Sequence, residues 1–237
     1  MYYRKKYTPR PGDYNKNNNL AYEAILQILE SIAGIHSASV GDSVADLSRN
    51  KISWILAEWH IKIIRHPENG EDLSITTWVR GKTPASTVFR DFLVYDEDGS
   101  EVIRAEAKFA LYDLESSKLT RINEELFASY QPEEKVIFED VQKLRVPSEY
   151  EAETKIQLRR SDIDFNGHVH NTRYMDYALQ ALPKEIYDKN SFSEIKIIYR
   201  KAITEEDNVA LKYLYTNSRA NVGIYGNDVL CCLVEFS

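Results

Sequence analysis

One order of predicted elements occurs twice in this chain of 237 residues, and this repetition constrains the fold more than any other feature. In each half, a strand and a polar turn precede an amphipathic helix, and three or four strands follow it. The apolar faces of the two helices are formed by Ala21, Ile25, Ile28, Leu29 and Ile32, and by Tyr174, Tyr177, Ala178, Ala181 and Leu182. The tetrapeptide IKII follows both helices, at 61–64 and 195–198.

Glycine, proline and hairpin signals divide the repeat into elements. Gly34 predicts the end of the first helix, and Pro183 follows the end of the second. Hairpin turns are predicted at Asp98-Gly99 and near Gly226-Asn227-Asp228. An antiparallel sheet with an apolar face needs a helix to cover that face. We therefore predict an α+β fold with two tandem units, each an antiparallel sheet wrapped around a long central helix. The predicted boundaries are 1–130, a charged linker at 131–150, and 151–237.

Composition and charge argue against several classes of protein. The chain is 43% hydrophobic and 28% charged, as in ordinary globular proteins, and its formal net charge is -7. This charge argues against nucleic-acid binding, and no apolar run is long enough for a membrane span. The adjacent Cys231 and Cys232 are the only cysteines, so a disulfide framework or zinc spacing is absent. We expect a cytoplasmic protein, with no signal peptide, that binds neither nucleic acid nor membrane.

The segment SDIDFNGHVHNTRYMDY, residues 161–177, concentrates polar side chains in one turn before the second helix. Its first residues match a calcium-loop pattern: Asp162, Asp164, Asn166 and Gly167. Position twelve of such a loop is a bidentate glutamate, whereas this chain has Arg173 there, which would repel the ion. We therefore expect no metal at this turn.

Helix capping accounts for one or two of the polar residues in this turn, but not for all of them. The first half offers a comparison, because Asp13–Asn15 precedes its helix much as Asp164–Asn166 precedes the second. This alignment places Asn17 opposite His168, so only the second turn has an imidazole, the usual side chain for acid–base chemistry. We interpret the second turn as the candidate catalytic site, with three residues: Asp164, Asn166 and His168.

The segment RRSDIDFNGHVHNTRYMDY resembles the catalytic segment of acyl-acyl carrier protein thioesterases, double-hotdog enzymes that hydrolyse fatty acyl thioesters during fatty acid synthesis. AGIHSASVG, WILAEWHIKIIRHPENGEDLSITTW and FRDFLVYDEDG are similar to the family's N-terminal hotdog, so the resemblance runs from about Tyr7 to about Leu214. It implies that the first hotdog holds the acyl chain and the second carries Asp164, Asn166 and His168 as catalytic residues. It also implies acyl carrier protein bearing a fatty acyl chain as the partner, and no cofactor.

Three positions depart from the family's pattern. His170 stands where an asparagine is frequent, Ile203 where plant members carry a cysteine, and Ala202 where the family has its catalytic glutamate. We therefore predict that Asp164 and His168 activate water without a glutamate. An acyl-CoA hydrolase and a non-catalytic acyl-binding module remain the alternatives, and a homodimer is left open.

Two expectations concern the surroundings of the turn. The N-terminus of the second helix offers backbone N–H groups to the oxyanion that forms when water attacks a thioester. Carrier proteins of this kind are acidic, so a basic patch would attract one to the site. The basic residues nearest to the turn in sequence are Arg159, Arg160, Arg173, Arg200 and Lys201.

Overall fold

The computed structural model describes residues 1–81, 86–139, 143–189 and 192–237. They form two compact units, one of Met1–Ala57 with Ile61–Val141 and the other of Glu58–His60 with Gln142–Ser237. Each unit combines helices with an antiparallel sheet, which confirms the predicted α+β class. Among the described residues, no helix has the length and apolar composition needed to cross a membrane.

The first unit contains the predicted sheet and the first central helix. Its elements are β1 (Tyr3–Tyr7), α1 (Tyr22–Ser39), α2 (Val44–Arg49), β2 (Ile52–Ile63), β3 (Leu73–Val79), β4 (Thr87–Tyr95), β5 (Glu101–Asp113), β6 (Lys118–Leu119) and α3 (Glu124–Ser129). The strand order is β1-β3-β4-β5-β2, with β6 paired to β5. The β4–β5 connection closes with a hydrogen bond from the Asp96 N–H to the Ser100 carbonyl, which confirms the turn predicted at Asp98-Gly99.

The second unit repeats this plan with fewer residues. Its elements are β7 (Ala152–Ile156), α4 (Arg173–Ala181), α5 (Lys184–Lys189), β8 (Glu194–Tyr199), β9 (Val209–Thr216), β10 (Arg219–Gly226) and β11 (Val229–Phe236). The strand order is β8-β11-β10-β9-β7. β10 and β11 are joined by Asn227 and Asp228, both with positive φ, at the predicted hairpin turn.

The helix α1 buries the predicted apolar face but does not end where we predicted. Ile25, Leu29 and Ile32 are at most 2% exposed. Gly34 lies inside the helix, which continues to Ser39, so this predicted end is wrong. The added turn brings His36, which is fully buried, within 2.8 Å of Arg90 Nη1 on β4. A hydrogen bond to a charged group contributes about 1.5–3 kcal/mol, which offsets the roughly 1 kcal/mol cost of a helical glycine.

The helix α4 has nine residues, half the length of α1, so the second unit has the shorter of the two helices. Leu182 leaves the helix with extended backbone angles, φ -75° and ψ 134°. The cause is Pro183, because proline disfavours the helical conformation of the residue before it.

The two ends of the predicted linker make specific contacts, each within one unit. The Glu133 N–H donates to the Val79 carbonyl at 2.9 Å, and Trp78 Nε1 donates to the Lys135 carbonyl at 3.0 Å, both within the first unit. At the other end, the Tyr150 hydroxyl lies over Gly223 of β10, where any Cβ would come within 2.6 Å of it.

Candidate active site

The candidate turn lies between a short 3-10 segment, Arg160–Asp162, and α4. Ile163 pairs with Val169 across its base, and the Asp164 N–H donates to the His168 carbonyl at 2.7 Å. Gly167 adopts φ +78° at the tip, a conformation that favours glycine. The turn is therefore a closed loop with two chain segments paired at its stem.

The Asp164 carboxylate holds this loop together from inside. Its Oδ1 accepts hydrogen bonds from the backbone N–H groups of Asn166 at 2.8 Å and His168 at 3.1 Å. Within the described residues it makes no hydrogen bond to the His168 imidazole. Asp164 thus positions the residues on either side of Gly167.

The side chains of Asn166 and His168 are exposed, as are those of His170 and Asn171. An amide and an imidazole on the same short turn can meet one substrate group without displacing core residues. The structure therefore brings Asn166 and His168 together, with Asp164 supporting both from the backbone side.

The first unit contains the same turn, but its residues align with those of the second turn two positions later than we predicted. The Asn15 N–H donates to the Asn19 carbonyl at 2.9 Å, and Asn15 Oδ1 accepts from the N–H groups of Asn17 and Asn19 at 2.9 and 3.2 Å. Asn15 therefore matches Asp164, and Asn19, rather than Asn17, matches His168. The alignment in the sequence was wrong because Asp13 lies in the preceding 3-10 segment and not in the turn. Even so, only the second turn has an imidazole.

A buried carboxylate, Asp162, lies at the stem of the turn and is 1% exposed. Its Oδ2 accepts from the Arg159 N–H at 2.9 Å and from the Tyr177 hydroxyl at 2.7 Å. In the first unit, Asp13 Oδ2 accepts from the Arg10 N–H at 2.8 Å and from the Tyr7 hydroxyl at 3.2 Å. Sequence reasoning placed Asp162 only in a calcium pattern and missed this role. The available signal was the repeated R-x-x-D spacing, at 10–13 and 159–162.

The charges around Asp162 keep it ionised. Burial raises the pKa of this carboxyl, but hydrogen bonds from the Arg159 backbone and from Tyr177 outweigh burial, so the pKa lies below its ordinary value. Arg173, at position twelve of the calcium pattern, has its Nε 3.8 Å from Asp162 and its Nη1 2.9 Å from Asp176. The guanidinium therefore belongs to an ion-pair network at the start of α4.

The N-terminus of α4 does not offer the free backbone donors that we predicted. The N–H groups of Arg173, Tyr174 and Met175 donate to the carbonyls three residues earlier, at 2.9, 3.3 and 3.1 Å. A tight first turn thus consumes them.

The segment after β8 contacts the turn through Ile203 and Thr204. Ile203 is fully buried, its carbonyl accepts from the Val169 N–H at 2.8 Å, and its N–H donates to the Tyr174 hydroxyl at 3.0 Å. Ala202 is exposed. In the first unit the carbonyl of Pro67 accepts from the Leu20 N–H at 3.2 Å, so His66 occupies the position that matches Ala202.

The remaining candidate groups have simple settings. Glu205 and Glu206 are exposed in a turn closed by the Thr204 N–H on Asp207 Oδ2 at 2.7 Å. Cys231 and Cys232 are free and buried, and burial raises the pKa of both thiols. Four of the five predicted basic residues are exposed, namely Arg159, Arg160, Arg200 and Lys201.

Comparisons with known protein families match both halves of the chain. The model of the acyl-ACP thioesterase N-terminal domain matches residues 1–130, and the model of the C-terminal domain matches residues 146–226. Oleoyl-acyl carrier protein thioesterase 2 of Arabidopsis thaliana, a chloroplastic protein, is 28% identical over 224 residues, covering 86% of this chain and 60% of that protein. This chain spans about 60% of the length of this protein and of two other oleoyl-acyl carrier protein thioesterases that it is similar to.

Solved structures give the same result for the fold. The 12:0-ACP thioesterase of Umbellularia californica superposes with a TM-score of 0.89 at 18% identity, over 100% of this chain and 96% of that one. An acyl-ACP thioesterase of Bacteroides thetaiotaomicron gives 0.87 at 22% identity, over 99% and 96%. The predicted pair of hotdog units is thus confirmed as a fold, and the chain belongs to the acyl-ACP thioesterase family.

Proposed function

We propose that this chain hydrolyses fatty acyl thioesters carried on acyl carrier protein, releasing the fatty acid and the carrier thiol. The observation that carries the proposal is the pair of exposed side chains, Asn166 and His168, on one turn held by Asp164. The first unit has the same turn with asparagine in all three places, so the imidazole and the carboxylate distinguish the second.

Each of the three residues has a role that its setting supports. His168 takes the proton of the attacking water as general base, a function that contributes about 10²–10⁴ in rate. The Asn166 amide donates to the carbonyl oxygen as it becomes an oxyanion, a contribution of about 10²–10³. Asp164 fixes the backbone of both, because its Oδ1 accepts from their N–H groups.

We propose the same division of labour between the halves that the resemblance implies. Residues 1–130 hold the acyl chain, and residues 151–237 carry the chemistry, with 131–150 as the connection between them. The proposal also keeps the predicted cytoplasmic location, because both cysteines are free thiols, and leaves the homodimer open.

A second candidate function follows from Ala202, which is exposed where the family's glutamate is expected. A methyl group cannot accept a proton, so the chain could bind acyl thioesters without hydrolysing them. We therefore expect Ala202→Glu to change kcat by no more than about threefold if His168 is the base. A rise of several orders of magnitude from a near-zero start would instead identify a non-catalytic acyl-binding protein.

The deciding experiment incubates the purified protein with acyl carrier protein and with CoA that bear the same fatty acyl chain. We expect free thiol and fatty acid from the carrier-bound substrate, with a higher kcat/KM than for acyl-CoA. His168→Ala should lower kcat by about 10²-fold or more while the fold is retained. Asn19→Ala, the matched change in the first unit, should alter kcat less than about twofold.

The outcomes separate the candidates. Faster turnover of acyl-CoA would identify an acyl-CoA hydrolase. Binding of either substrate without turnover would identify the acyl-binding module. Comparable losses from His168→Ala and Asn19→Ala would show that catalysis does not belong to the second turn alone.

A further inference from the structure

Asp162 connects three chain segments between Arg159 and Tyr177. Its side chain accepts from the Arg159 backbone, which enters the turn, and from Tyr177, which lies 15 residues later in α4. Its own carbonyl accepts from the His170 N–H at 2.9 Å, where the chain leaves the turn. One residue thus joins both ends of the Asn166–His168 turn to the helix that follows it.

The surroundings of Asp162 favour a carboxylate over an amide. Oδ2 accepts from the Arg159 N–H, from the Tyr177 hydroxyl and, at 3.4 Å, from Arg159 Nε, and the side chain is almost fully buried. Oδ1 faces two guanidinium groups, with Arg159 Nε at 3.3 Å and Arg173 Nε at 3.8 Å. An asparagine could offer its oxygen to the donors on Oδ2, but its NH2 group would then face these two cations, and an unpaired buried polar group costs about 1–3 kcal/mol.

The first unit has a similar arrangement with one difference. Asp13 accepts from Tyr7, which belongs to β1, whereas Asp162 accepts from Tyr177, which belongs to α4. On α1, Ile28 stands where α4 has Tyr177, and beside it lies a cavity of about 350 Å³ lined by Tyr7, Asp13, Ala24 and Ile28. The carboxylate therefore ties its turn to the central helix only in the second unit.

We propose that Asp162 is a positioning residue for the hydrolytic reaction, because it holds the Asn166–His168 turn in a fixed place against α4. This inference rests on the proposed function. Asp162 has no contact with substrate in this role and acts through Asn166 and His168. A displacement of reacting groups by about 1 Å can cost about 10²-fold in rate, so loss of this connection should lower kcat more than it affects binding.

The test compares Asp162→Asn with Asp13→Asn, which removes the equivalent carboxylate from the first unit. We expect Asp162→Asn to lower kcat at least about tenfold with KM changed by less than about twofold. Asp13→Asn should leave both constants within about twofold of the wild type, although both variants should lose similar amounts of thermal stability. An equal loss of kcat in both variants, or full activity of Asp162→Asn, would overturn the proposal.

Amide hydrogen exchange measured by NMR supplies a readout that needs no activity. In Asp162→Asn the N–H groups of Asn166 and His168 should exchange at least about tenfold faster, because their turn is no longer held at its stem. In Asp13→Asn the faster groups should be those of Asn17 and Asn19. Unchanged exchange at Asn166 and His168 would overturn the positioning role, whether or not the wild type hydrolyses a thioester. A wild type that hydrolyses no thioester would by itself reject only the proposed function.

A milder pair covers the case in which Asp162→Asn does not fold. Tyr177→Phe removes one donor and keeps the ring, and Tyr7→Phe is its matched control. Tyr177→Phe should lower kcat with KM retained, whereas Tyr7→Phe should not. Identical kinetics of the two variants would count against the proposal.

Discussion

Asn15 and Asp164 occupy matching places in the two turns and make the same pair of backbone hydrogen bonds. An amide oxygen is therefore sufficient to hold such a turn. The negative charge of Asp164 is not needed for the local structure, so it is available to influence the nearby imidazole. The comparison separates what the residue does for the fold from what it does for the chemistry.

Asp164→Asn should keep the turn and lose activity. Its amide oxygen can accept from the N–H groups of Asn166 and His168, as that of Asn15 does in the first unit. Because the negative charge of the turn is gone, we expect kcat to fall at least about tenfold. Steady-state kinetics with thermal unfolding as a folding control measure this. Retained activity of Asp164→Asn would show that Asp164 serves only the structure of the turn. As controls, Glu205→Gln and Glu206→Gln should both leave kcat unchanged.

Packing between α1 and β4 explains the setting of His36, a residue that no sequence pattern singled out. The last turn of α1 places His36 against Arg90 of β4, with the Tyr3 ring stacked on the imidazole at 4.9 Å between ring centres. Burial, and then the Arg90 guanidinium, lower the pKa of His36 to about 4. The contact that extends α1 past Gly34 therefore also keeps an imidazole neutral inside the first unit.

His36 should make the protein less stable as the pH falls. Its pKa is about 6.5 in the unfolded chain and about 4 in the folded one, so only the unfolded chain takes up this proton between those values. The contribution of His36 to the free energy of unfolding should fall across this window, by about 3 kcal/mol in total. NMR titration of labelled imidazoles checks the folded value directly. A folded midpoint above pH 6 would refute the expectation.

The two cysteines of β11 should have no part in catalysis. Both thiols are buried, and burial raises the pKa of each, which disfavours the nucleophilic thiolate. Cys231→Ser with Cys232→Ser should keep kcat within about twofold, with a loss of stability of about 1–3 kcal/mol from burying two hydroxyls. Inactivation of a folded double variant, judged by circular dichroism, would assign a role to a thiol.

The molecule as a whole is acidic, with a formal net charge of -7, and an acidic carrier protein would be repelled by most of such a surface. The exposed basic residues near the turn are therefore the places where an acidic partner could approach. Arg173 is the exception among the five that we predicted, because it is 31% exposed and paired with Asp176. It is better suited to holding α4 than to docking.

Arg200→Glu should raise KM for carrier-bound substrate more than for acyl-CoA of the same chain length. The change places a negative charge on the proposed docking surface, so we expect about a fivefold difference between the two effects at low salt, decreasing as salt is added. Lys118→Glu changes the net charge equally on an exposed strand of the first unit and is the control. Equal effects of Arg200→Glu on both substrates would argue against docking there.

The sequence by itself determined the features that depend on local pattern. The repeated order of elements, the two hairpin turns and the apolar face of α1 follow from periodicity and turn-forming residues, which act over a few neighbouring positions. The D-x-N-x-H segment is local in the same sense, since Asp164, Asn166 and His168 lie within five residues. The prediction that these three carry the chemistry stands on that segment and awaits the experiments above.

Tertiary structure alone decided the features that depend on distant partners. In the sequence, Asp13 of the first turn aligns with Asp164 of the second. In the structure, Asp13 is buried at the stem of its turn, and Asn15 accepts the hydrogen bond inside the turn. The helix α1 passes Gly34 because His36 meets Arg90, which lies 54 residues away. The R-x-x-D spacing marks Asp162, but only the fold shows that the Tyr177 hydroxyl of α4 donates to it. Each result depends on which polar groups are buried and which partners satisfy them, and a local pattern shows at most one of the two partners.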